Sequence, residues 1–442
     1  MLDQFLDFAD RYQLCDKQHP ALLAVSGGID STVMLYLFKE AGFNFGVAHA
    51  NFQLRGAESD GDQEFVTVLC SEFNIPLVVR RFDTERYAWE KSLSIQLAAR
   101  ELRYNWFSEL IKEGFYKSVA TAHHFDDTME TILMNLTRGA GIDGLAGIPV
   151  KNGVVIRPMM FATRKQVENY ASMRGIVWRE DASNHTDNYQ RNYIRHHVIP
   201  HLRSLNPSLD ITWRAGLQRI NGELSIIQRA HDLWKTKFVN EQPHRLSIGK
   251  EGIRDCGDNP AMLWRLIRNF GFNFDQASDI LRAANGQSGK KFMSATHALV
   301  IDREDVIVFE RNQWSDRLIG ERDKTANLGP WYLTLDEMPP PGSADMRSSC
   351  GETAWLDASK ISFPLLWRKW KPGDFFYPLG LGHRKKVSDF FIDEKLSLAD
   401  KERATVVESG GAIVWVSGRR IDDRFRVTPA TSLCIRLQIS VL

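Results

Sequence analysis

The stretch Ser26-Gly27-Gly28-Ile29-Asp30-Ser31 decides the fold, because it stands between an apolar strand pattern and a helical pattern. The strand pattern covers residues 22–25, and the helical pattern covers residues 32–40. Two glycines permit a tight turn and the close approach of an anion, while hydroxyls and free amides at a helix N-terminus donate hydrogen bonds. The stretch therefore predicts a phosphate-binding loop. An ordinary glycine turn, with Asp30 and Ser31 capping the helix, is the alternative.

Short apolar runs alternate with amphipathic stretches through the first half of the chain. Strands are predicted at residues 22–25, 45–49, 77–79, 118–122 and 154–156. This alternation is typical of a doubly wound α/β fold with a mainly parallel sheet, whose ligands bind beyond the carboxyl ends of the strands. We expect a mostly helical middle domain and a small α+β C-terminal domain to follow. The predicted division is a catalytic domain 1–207, a connecting helix 208–241, a middle domain 242–325 and a C-terminal domain 326–442.

The composition narrows the class of protein. The 56 basic and 55 acidic residues give a net charge of +1, so any surface that binds nucleic acid must be local. The five cysteines are far apart and form no CxxC pair, which fits a reducing compartment. We find no signal peptide pattern and no apolar run of about 18 residues, so we expect a soluble cytoplasmic protein without a membrane segment.

Asp30 needs a role, because a carboxylate in a phosphate loop repels phosphate unless it binds Mg²⁺ or orients an amine. The SGGxDS string resembles the PP-loop of ATP-pyrophosphatases, which cleave ATP between the α and β phosphates and adenylate a carbonyl or carboxylate oxygen. The resemblance implies that the loop binds ATP, and its chemistry makes Asp30 the candidate ligand of Mg²⁺. The Walker A alternative is absent, since residues 286–291 have the wrong glycine spacing. Several synthetases and tRNA thiolation enzymes share the loop, so other motifs must distinguish among the PP-loop families.

An acidic string stands where the strand at residues 118–122 gives way to a helix. It reads Thr121-Ala122-His123-His124-Phe125-Asp126-Asp127-Thr128-Met129-Glu130-Thr131. Asp126 and Glu130 are i,i+4 neighbours, while Asp127 and Glu130 are i,i+3 neighbours, so carboxylates can converge on a cationic ligand. A zinc site is a minor alternative, because no HExxH spacing occurs. Helix capping by Asp126 or Asp127 is the structural alternative.

Three other strings complete the pattern. They are His49 to Gly56, Ala98 to Tyr104, and Trp178 to Arg195, the last with Asp181, Asn184, Arg191 and Arg195. Together with the acidic string they resemble the tRNA(Ile)-lysidine synthetase family, and the resemblance extends through the basic and aromatic C-terminal region. Taken alone, each string also fits a solvated helix face, a turn or a surface salt-bridge network.

The resemblance implies a two-step reaction on tRNA(Ile) with a CAU anticodon. ATP adenylates C2-oxygen of the first anticodon cytidine, and L-lysine then displaces AMP to form lysidine. For ATP the resemblance implies the loop, His49 and Asn51; for lysine it implies Asp126, Asp127 and Glu130. The implied catalytic residues are Asp30, Asp127, Glu130, Arg191 and Arg195, with the two arginines steadying the adenylate or the phosphates.

The implied tRNA-binding residues are spread along the chain. They are Arg100, Arg103, Lys290, Lys291, Lys371, Arg384, Lys385, Lys386 and Arg424. Two rival functions stay open on the sequence: a tRNA sulfur transferase, which the lack of a cysteine pair disfavours, and a silent RNA-binding protein, which the intact loop and carboxylates disfavour. The sequence leaves the oligomeric state open, including a homodimer.

Overall fold

The structure is a computed structural model that describes residues 1–180, 190–284, 286, 288–311, 314–340 and 351–441. It divides into two compact units, Met1–Ile226 and Ile227–Leu442. The predicted loop residues Asp181 and Asn184 lie outside the described residues. The finer division into four domains stays a prediction.

The first unit is built on one six-stranded sheet. Its strands are β1 (Ala21–Ala24), β2 (Phe45–Asn51), β3 (Leu77–Arg81), β4 (Ser118–Ala120), β5 (Lys151–Asn152) and β6 (Val155–Ile156). They lie in the order β3-β2-β1-β4-β6-β5, and every neighbouring pair is parallel except β5 with β6. The chain leaves β1 towards β2 on one side and reaches β4 on the other. The carboxyl end of β1 is therefore a topological switch point, where ligands bind in such folds.

Helices cover this sheet on both faces. The described helices that begin in this unit are α1 (Leu2–Arg11), α2 (Ile29–Ala41), α3 (Ala57–Glu72), α4 (Thr84–Lys91), α5 (Ile95–Lys112), α6 (Phe125–Thr137), α7 (Ile142–Leu145), α8 (Arg164–Met173), α9 (Gln190–Tyr193), a π-helical turn (Ile194–Val198), α10 (Ile199–Leu205) and α11 (Leu209–Phe238), which continues into the second unit. Leu23 packs with Val33 and Phe38 of α2, whereas its neighbour Leu22 packs with Trp106 and Phe107 of α5. Successive strand residues point to opposite faces, so both faces of β1 are buried. The predicted doubly wound α/β fold is confirmed.

The second unit begins with helices packed on an antiparallel sheet. Its strands are β7 (Val239–Gln242), β8 (Arg245–Gly249), β9 (Lys291–Met293), β10 (His297–Ile301) and β11 (Asp305–Glu310), and its helices are α12 (Lys250–Asp255), α13 (Ala261–Ile267), a 3₁₀ turn (Arg268–Phe270) and α14 (Phe274–Ala284). The sheet order is β7-β8-β11-β10-β9. The middle region thus has the predicted helices and adds a five-stranded sheet beneath them.

The rest of the second unit is mainly antiparallel β structure. The strands are β12 (Arg317–Ile319), β13 (Thr325–Leu328), β14 (Trp331–Met338), β15 (Thr353–Asp357), β16 (Leu365–Lys369), β17 (Phe375–Phe376), β18 (Lys385–Lys386), β19 (Thr405–Ser409), β20 (Ala412–Val416), β21 (Arg420–Ile421) and β22 (Cys434–Val441). The helices are α15 (Val387–Asp393) and α16 (Leu398–Arg403), with 3₁₀ turns at Ala358–Lys360 and Asp423–Phe425. The sheets run β12-β16-β19-β20-β21, β13-β14-β22-β15 and β17-β18. The predicted α+β C-terminal region is confirmed.

None of the helices in the described ranges combines the length and the apolar character that crossing a lipid bilayer requires.

Candidate active site

The loop between β1 and α2 has the form of an anion-binding turn. Gly27 has a φ of +98°, a conformation that favours glycine over residues with a Cβ. The Ser31 hydroxyl accepts a hydrogen bond from the Ser26 amide at 3.1 Å and donates one to the Gly28 carbonyl at 2.9 Å. Gly28 caps α2 without a side-chain hydrogen bond, so the first-turn amides of this 13-residue helix are available to an anion.

Asp30 lies at the start of α2 between two basic side chains. Its Oδ2 accepts a hydrogen bond from Arg164 Nη1 at 2.8 Å, and its Oδ1 lies 3.6 Å from His124 Nε2. Burial raises the pKa of Asp30 above its usual range, although His124 and Arg164 oppose that shift. Oδ1 is buried, and within the described part of the chain no group forms a hydrogen bond with it. A buried carboxylate oxygen without a hydrogen bond can bind a cation that enters the site together with an anionic ligand.

Asp127 and Glu130 converge at the start of α6, as the sequence predicts. The Asp127 Oδ1 accepts a hydrogen bond from Arg191 Nη2 at 2.9 Å, while its Oδ2 accepts one from the His124 amide at 2.8 Å. Glu130 is fully buried and accepts hydrogen bonds of 2.6 Å from Nε of both Arg191 and Arg195. Burial acts to raise the pKa of Asp127, but His124 and Arg191 outweigh it and hold that pKa below its usual value. The pair is thus a buried anionic site that holds two guanidinium groups.

Asp126 faces a different part of the first unit. Its two carboxylate oxygens accept hydrogen bonds from Arg203 Nη2 at 2.7 Å and from the Arg164 amide at 2.8 Å. It is absent from the residues that line the cavity at the loop. This geometry is that of a structural carboxylate that ties α6 to α8 and α10.

A cavity of about 540 Å³ joins the phosphate loop to the acidic helix start. Its lining includes Gly28, Asp30, Ser31 and Asp127, together with small and aromatic side chains from the strand ends and α5. The latter are Ala24, Ala48, Ala50, Phe52, Tyr104 and Phe107. A volume of this size accommodates a nucleotide, with phosphates at the loop and a base on the apolar floor.

Arg103 lies in this cavity and not on an outer surface. Its guanidinium stands 5.0 Å from the centroid of the Phe52 ring. Burial lowers the pKa of Arg103 below its usual value, and the nearby charge of Arg100 adds to that shift while Tyr104 opposes it. The sequence-based interpretation assigned it to tRNA, and its position favours a nucleotide inside the cavity as the partner.

His49 and Asn51 lie behind the cavity lining. His49 Nδ1 is 2.8 Å from the Val25 carbonyl oxygen, and burial lowers its pKa. The Asn51 amide nitrogen donates to Asp60 at 3.0 Å and to Gln63 at 3.1 Å. Neither side chain is among the lining residues, so both hold the end of β2 in place beside the loop.

The sequence-based site set missed several side chains that line the cavity. They include Arg55, Asp62, His123, Arg164, Glu168, Trp178 and Arg179. Arg179 pairs with Asp62 at 2.6 Å, and its amide donates to the Gly27 carbonyl at 3.0 Å. Burial lowers the pKa of His123 to about 4. His123 belongs to the acidic string that the sequence analysis identified. Arg164 belongs to none of the recognised strings, and the sequence around it indicates only the start of a helix.

The predicted tRNA-binding residues outside the cavity lie at the surface, and several are paired. Lys371 lies 3.7 Å from Asp316, Arg424 pairs with Asp422 at 2.8 Å, and Arg384 stacks 3.5 Å from the Phe375 ring centroid. Lys385 pairs with Asp393, and Lys291 pairs with Glu402. Arg100, Lys290 and Lys386 are exposed. Their roles in tRNA binding stay predictions.

Among the described residues, no group of three or more histidine, cysteine or acidic side chains is placed to hold a metal ion. Mg²⁺ needs few protein ligands when phosphate oxygens and water fill its other positions. The unpartnered Asp30 Oδ1, at the rim of the phosphate loop, fits that role.

Comparison with known proteins agrees with this geometry. Residues 3–202 match the family described as PP-loop domain, residues 241–311 the TilS substrate binding domain, and residues 365–439 the TilS substrate C-terminal domain. The fold and the site therefore define a PP-loop enzyme of the ATP-pyrophosphatase class. A solved U34-tRNA thiolase from Methanococcus maripaludis is similar over 50% of this chain and 77% of its own, at 18% identity and a TM-score of 0.42.

Curated relatives identify the family within that class. The tRNA(Ile)-lysidine synthase of Parabacteroides distasonis is 36% identical over 426 residues, covering 96% of both chains. That of Bacteroides thetaiotaomicron is 36% identical over 419 residues and covers 95% of both. The chain belongs to the tRNA(Ile)-lysidine synthase family.

Proposed function

We propose that this enzyme ligates L-lysine to C2 of the first anticodon cytidine of tRNA(Ile) with a CAU anticodon, releasing AMP and pyrophosphate. The observation that carries the proposal is the cavity that the phosphate loop and Asp127 both line. Glu130 is fully buried beside that lining and shares the guanidinium group of Arg191 with Asp127. A nucleotide and a cationic amino acid can meet there, which the ligation requires.

In the first step, the cytidine C2-oxygen attacks the α-phosphorus of ATP, and the bond to the β-phosphate oxygen breaks. The amides at the start of α2 and the Ser26 and Ser31 hydroxyls stabilise the departing pyrophosphate. We assign Mg²⁺ to Asp30, where it would supply charge neutralisation for the phosphates. Arg164 holds the Asp30 carboxylate in place through its 2.8 Å hydrogen bond.

In the second step, the lysine side-chain amine attacks C2, and AMP leaves with the former C2-oxygen. The amine must first lose a proton, because its unperturbed pKa is about 10.4. We assign its binding to Asp127 and Glu130, which already accept hydrogen bonds from cationic groups at 2.6 to 2.9 Å. Asp126 is left out of this assignment, because its oxygens are used by Arg203 and Arg164.

Charge balance explains how lysine enters a site that arginines occupy. Two carboxylates and the guanidinium groups of Arg191 and Arg195 are neutral together, so an added ammonium group leaves an excess positive charge. The adenylate phosphate compensates for that charge if the arginines turn towards it, since a guanidinium binds phosphate through paired hydrogen bonds. This motion would release carboxylate oxygens for the lysine. It also gives Arg191 and Arg195 the proposed role of steadying the adenylate.

The described cysteines do not support sulfur transfer. Burial raises the pKa of the Cys15 thiol to about 12 and those of Cys70 and Cys256 to about 11, so these thiols stay protonated near neutral pH. Cys434 is buried, and none of these four residues lines the cavity.

The test is the transfer of labelled lysine into an unmodified tRNA(Ile) transcript with a CAU anticodon. We expect the wild-type enzyme to transfer label only with ATP, and Asp30→Asn to lose at least about 100-fold in rate, as removal of one key electrostatic group does. Asp16→Asn, which changes an exposed acid outside the cavity, is the matched control. Equal label transfer by Asp30→Asn, or label transfer without ATP, would contradict the proposal.

A further inference from the structure

A second cavity, of about 650 Å³, lies in the second unit between the sheet β7 to β11 and helix α16. Its charged lining consists of Lys291, Glu310, Arg311, Lys369, Glu402 and Arg403. Four of these side chains are basic and two are acidic, which leaves an excess of two positive charges. Neither of the two proposed chemical steps takes place in this cavity.

The walls of the cavity are fixed by packing. Ala298 and Phe309 of the sheet share a hydrophobic cluster with Ala399 of α16. Next to that cluster, Arg245 of β8 pairs with Asp400 of α16 at 3.1 Å. The sheet and the helix are therefore held together before any ligand arrives, and the binding groups are preorganised.

Arg403 is a basic side chain in this cavity whose charge is poorly compensated by the described residues. Among the described residues, no carboxylate lies within ion-pair distance of its guanidinium, which stands 5.5 Å from the Trp331 ring centroid. Burial lowers the pKa of Arg403, and the charges of Asp400 and Glu310 only partly compensate. A partly desolvated cation without a carboxylate partner favours an anionic ligand.

Lys369 supplies a second cation to the same space. Its ammonium group stands 4.7 Å from the Trp314 ring centroid, where the aromatic ring fixes its position. Burial lowers the pKa of Lys369 as well, although Glu402 opposes that shift. The cavity thus brings together two basic side chains, Arg403 and Lys369, each beside an aromatic ring.

We propose that this cavity binds a nucleotide phosphate, held by Arg403 and Lys369, with the attached sugar and base against Met293, Phe309 and Trp314. A guanidinium and an ammonium group together suit the several oxygens of a phosphate. The volume exceeds what an inorganic anion fills, and the apolar side provides a surface for a ring. The nucleotide is either an unpaired residue of the RNA substrate or a free mononucleotide. The first possibility rests on the proposed function, and the second is independent of it.

The first arm of the test measures binding of labelled tRNA(Ile) transcript to the full-length protein across a series of KCl concentrations. We expect Arg403→Gln to raise the Kd about 5- to 10-fold and to lower the slope of log Kd against log salt by about 0.7, the value for one lost contact to single-stranded phosphate. Lys369→Gln should act in the same direction. Arg322→Gln, which removes an equal charge from an exposed turn, should change neither quantity.

The second arm measures AMP binding by isothermal titration calorimetry. If Arg403→Gln loses one class of AMP sites and keeps wild-type RNA affinity, the cavity takes a free nucleotide. Unchanged RNA affinity together with unchanged AMP binding in both Arg403→Gln and Lys369→Gln would overturn the proposal. Arg403→Lys should recover most of the lost affinity, and equal thermal midpoints of all variants control for folding.

Lysine transfer at saturating RNA separates this proposal from the proposed function. Arg403→Gln should keep a near wild-type rate under that condition, because the cavity at the phosphate loop is untouched. Failure of the proposed function would instead appear as absent transfer in the wild-type enzyme.

Discussion

Glu130→Gln should selectively weaken the use of lysine, because it removes one of the two charges that we assign to the ammonium group. Glu130 is fully buried, and its carboxylate accepts hydrogen bonds from the guanidinium groups of Arg191 and Arg195. The amide has nearly the same size, so the change is one of charge and hydrogen bonding. The cavity keeps its shape, and the phosphate loop is not altered.

The magnitude follows from the charges that remain. Two unit charges about 4 Å apart attract by about 4 kcal/mol at an effective dielectric constant of about 20. Asp127 stays in place, and Arg191 and Arg195 are 38% and 33% exposed, so water screens part of this attraction. We therefore expect a loss of about 2–3 kcal/mol, which corresponds to about a 30- to 150-fold lower kcat/KM for lysine.

The assay separates the two steps. Lysine incorporation is measured against lysine concentration, and adenylation is measured as pyrophosphate release in the absence of lysine. Glu130→Gln should keep the rate of pyrophosphate release within about threefold of wild type, because we assign Glu130 to lysine and not to ATP. A threefold change in rate is well below the tenfold change that about 1.4 kcal/mol would cause. Glu109→Gln, which breaks the exposed pair with Arg80, is the control. The reasoning is refuted if kcat/KM for lysine falls no more than in the control, or if adenylation is lost to the same extent.

Three further predictions follow from the same geometry. Gly27→Ala should raise the KM for ATP at least about tenfold and cost about 1–2 kcal/mol of stability, because φ at this position is +98°; ATP titration and denaturant unfolding measure both, and an unchanged KM would contradict it. Asp126→Asn should lower stability by about 1–2 kcal/mol through its contacts with Arg203 and Arg164, yet leave the lysine KM within about threefold. Burial lowers the pKa of His123 to about 4, so the unfolded chain binds a proton below pH 6.5 that the folded chain does not. Stability should then fall as pH drops from about 6.5 to 4, by at most about 3.4 kcal/mol, and His123→Gln should flatten this dependence in thermal melts.

The parts of the site that arise from local sequence were predictable. The loop from Ser26 to Ser31 needs only a strand, a left-handed glycine and a helix start, and all three are visible in consecutive residues. Asp127 and Glu130 meet because helical geometry places i and i+3 on one side. The doubly wound fold was predictable for a similar reason, since buried parallel strands are continuous apolar runs.

The parts that depend on distant contacts were not predictable from the residues. Arg164 reaches Asp30 across 134 positions of the chain, and Arg191 reaches Glu130 across 61. The residues at the end of β2 were difficult to assign for another reason. The position of a residue along a strand does not show whether its side chain faces the ligand. His49 turns to the Val25 carbonyl, while Ala48 and Ala50 line the cavity. The predicted strand end thus lies beside the cavity, and the assignment of His49 and Asn51 to ATP stays a prediction.

The fate of the cytidine C2-oxygen tests the central claim most directly. A tRNA(Ile) transcript with ¹⁸O at C2 of the first anticodon cytidine is converted with ATP and lysine, and the released nucleotides are analysed by mass spectrometry. Adenylation of that oxygen predicts ¹⁸O in the phosphate of AMP, at one atom per lysine incorporated. Lysine incorporation with unlabelled AMP, or with ¹⁸O in pyrophosphate, would contradict the account.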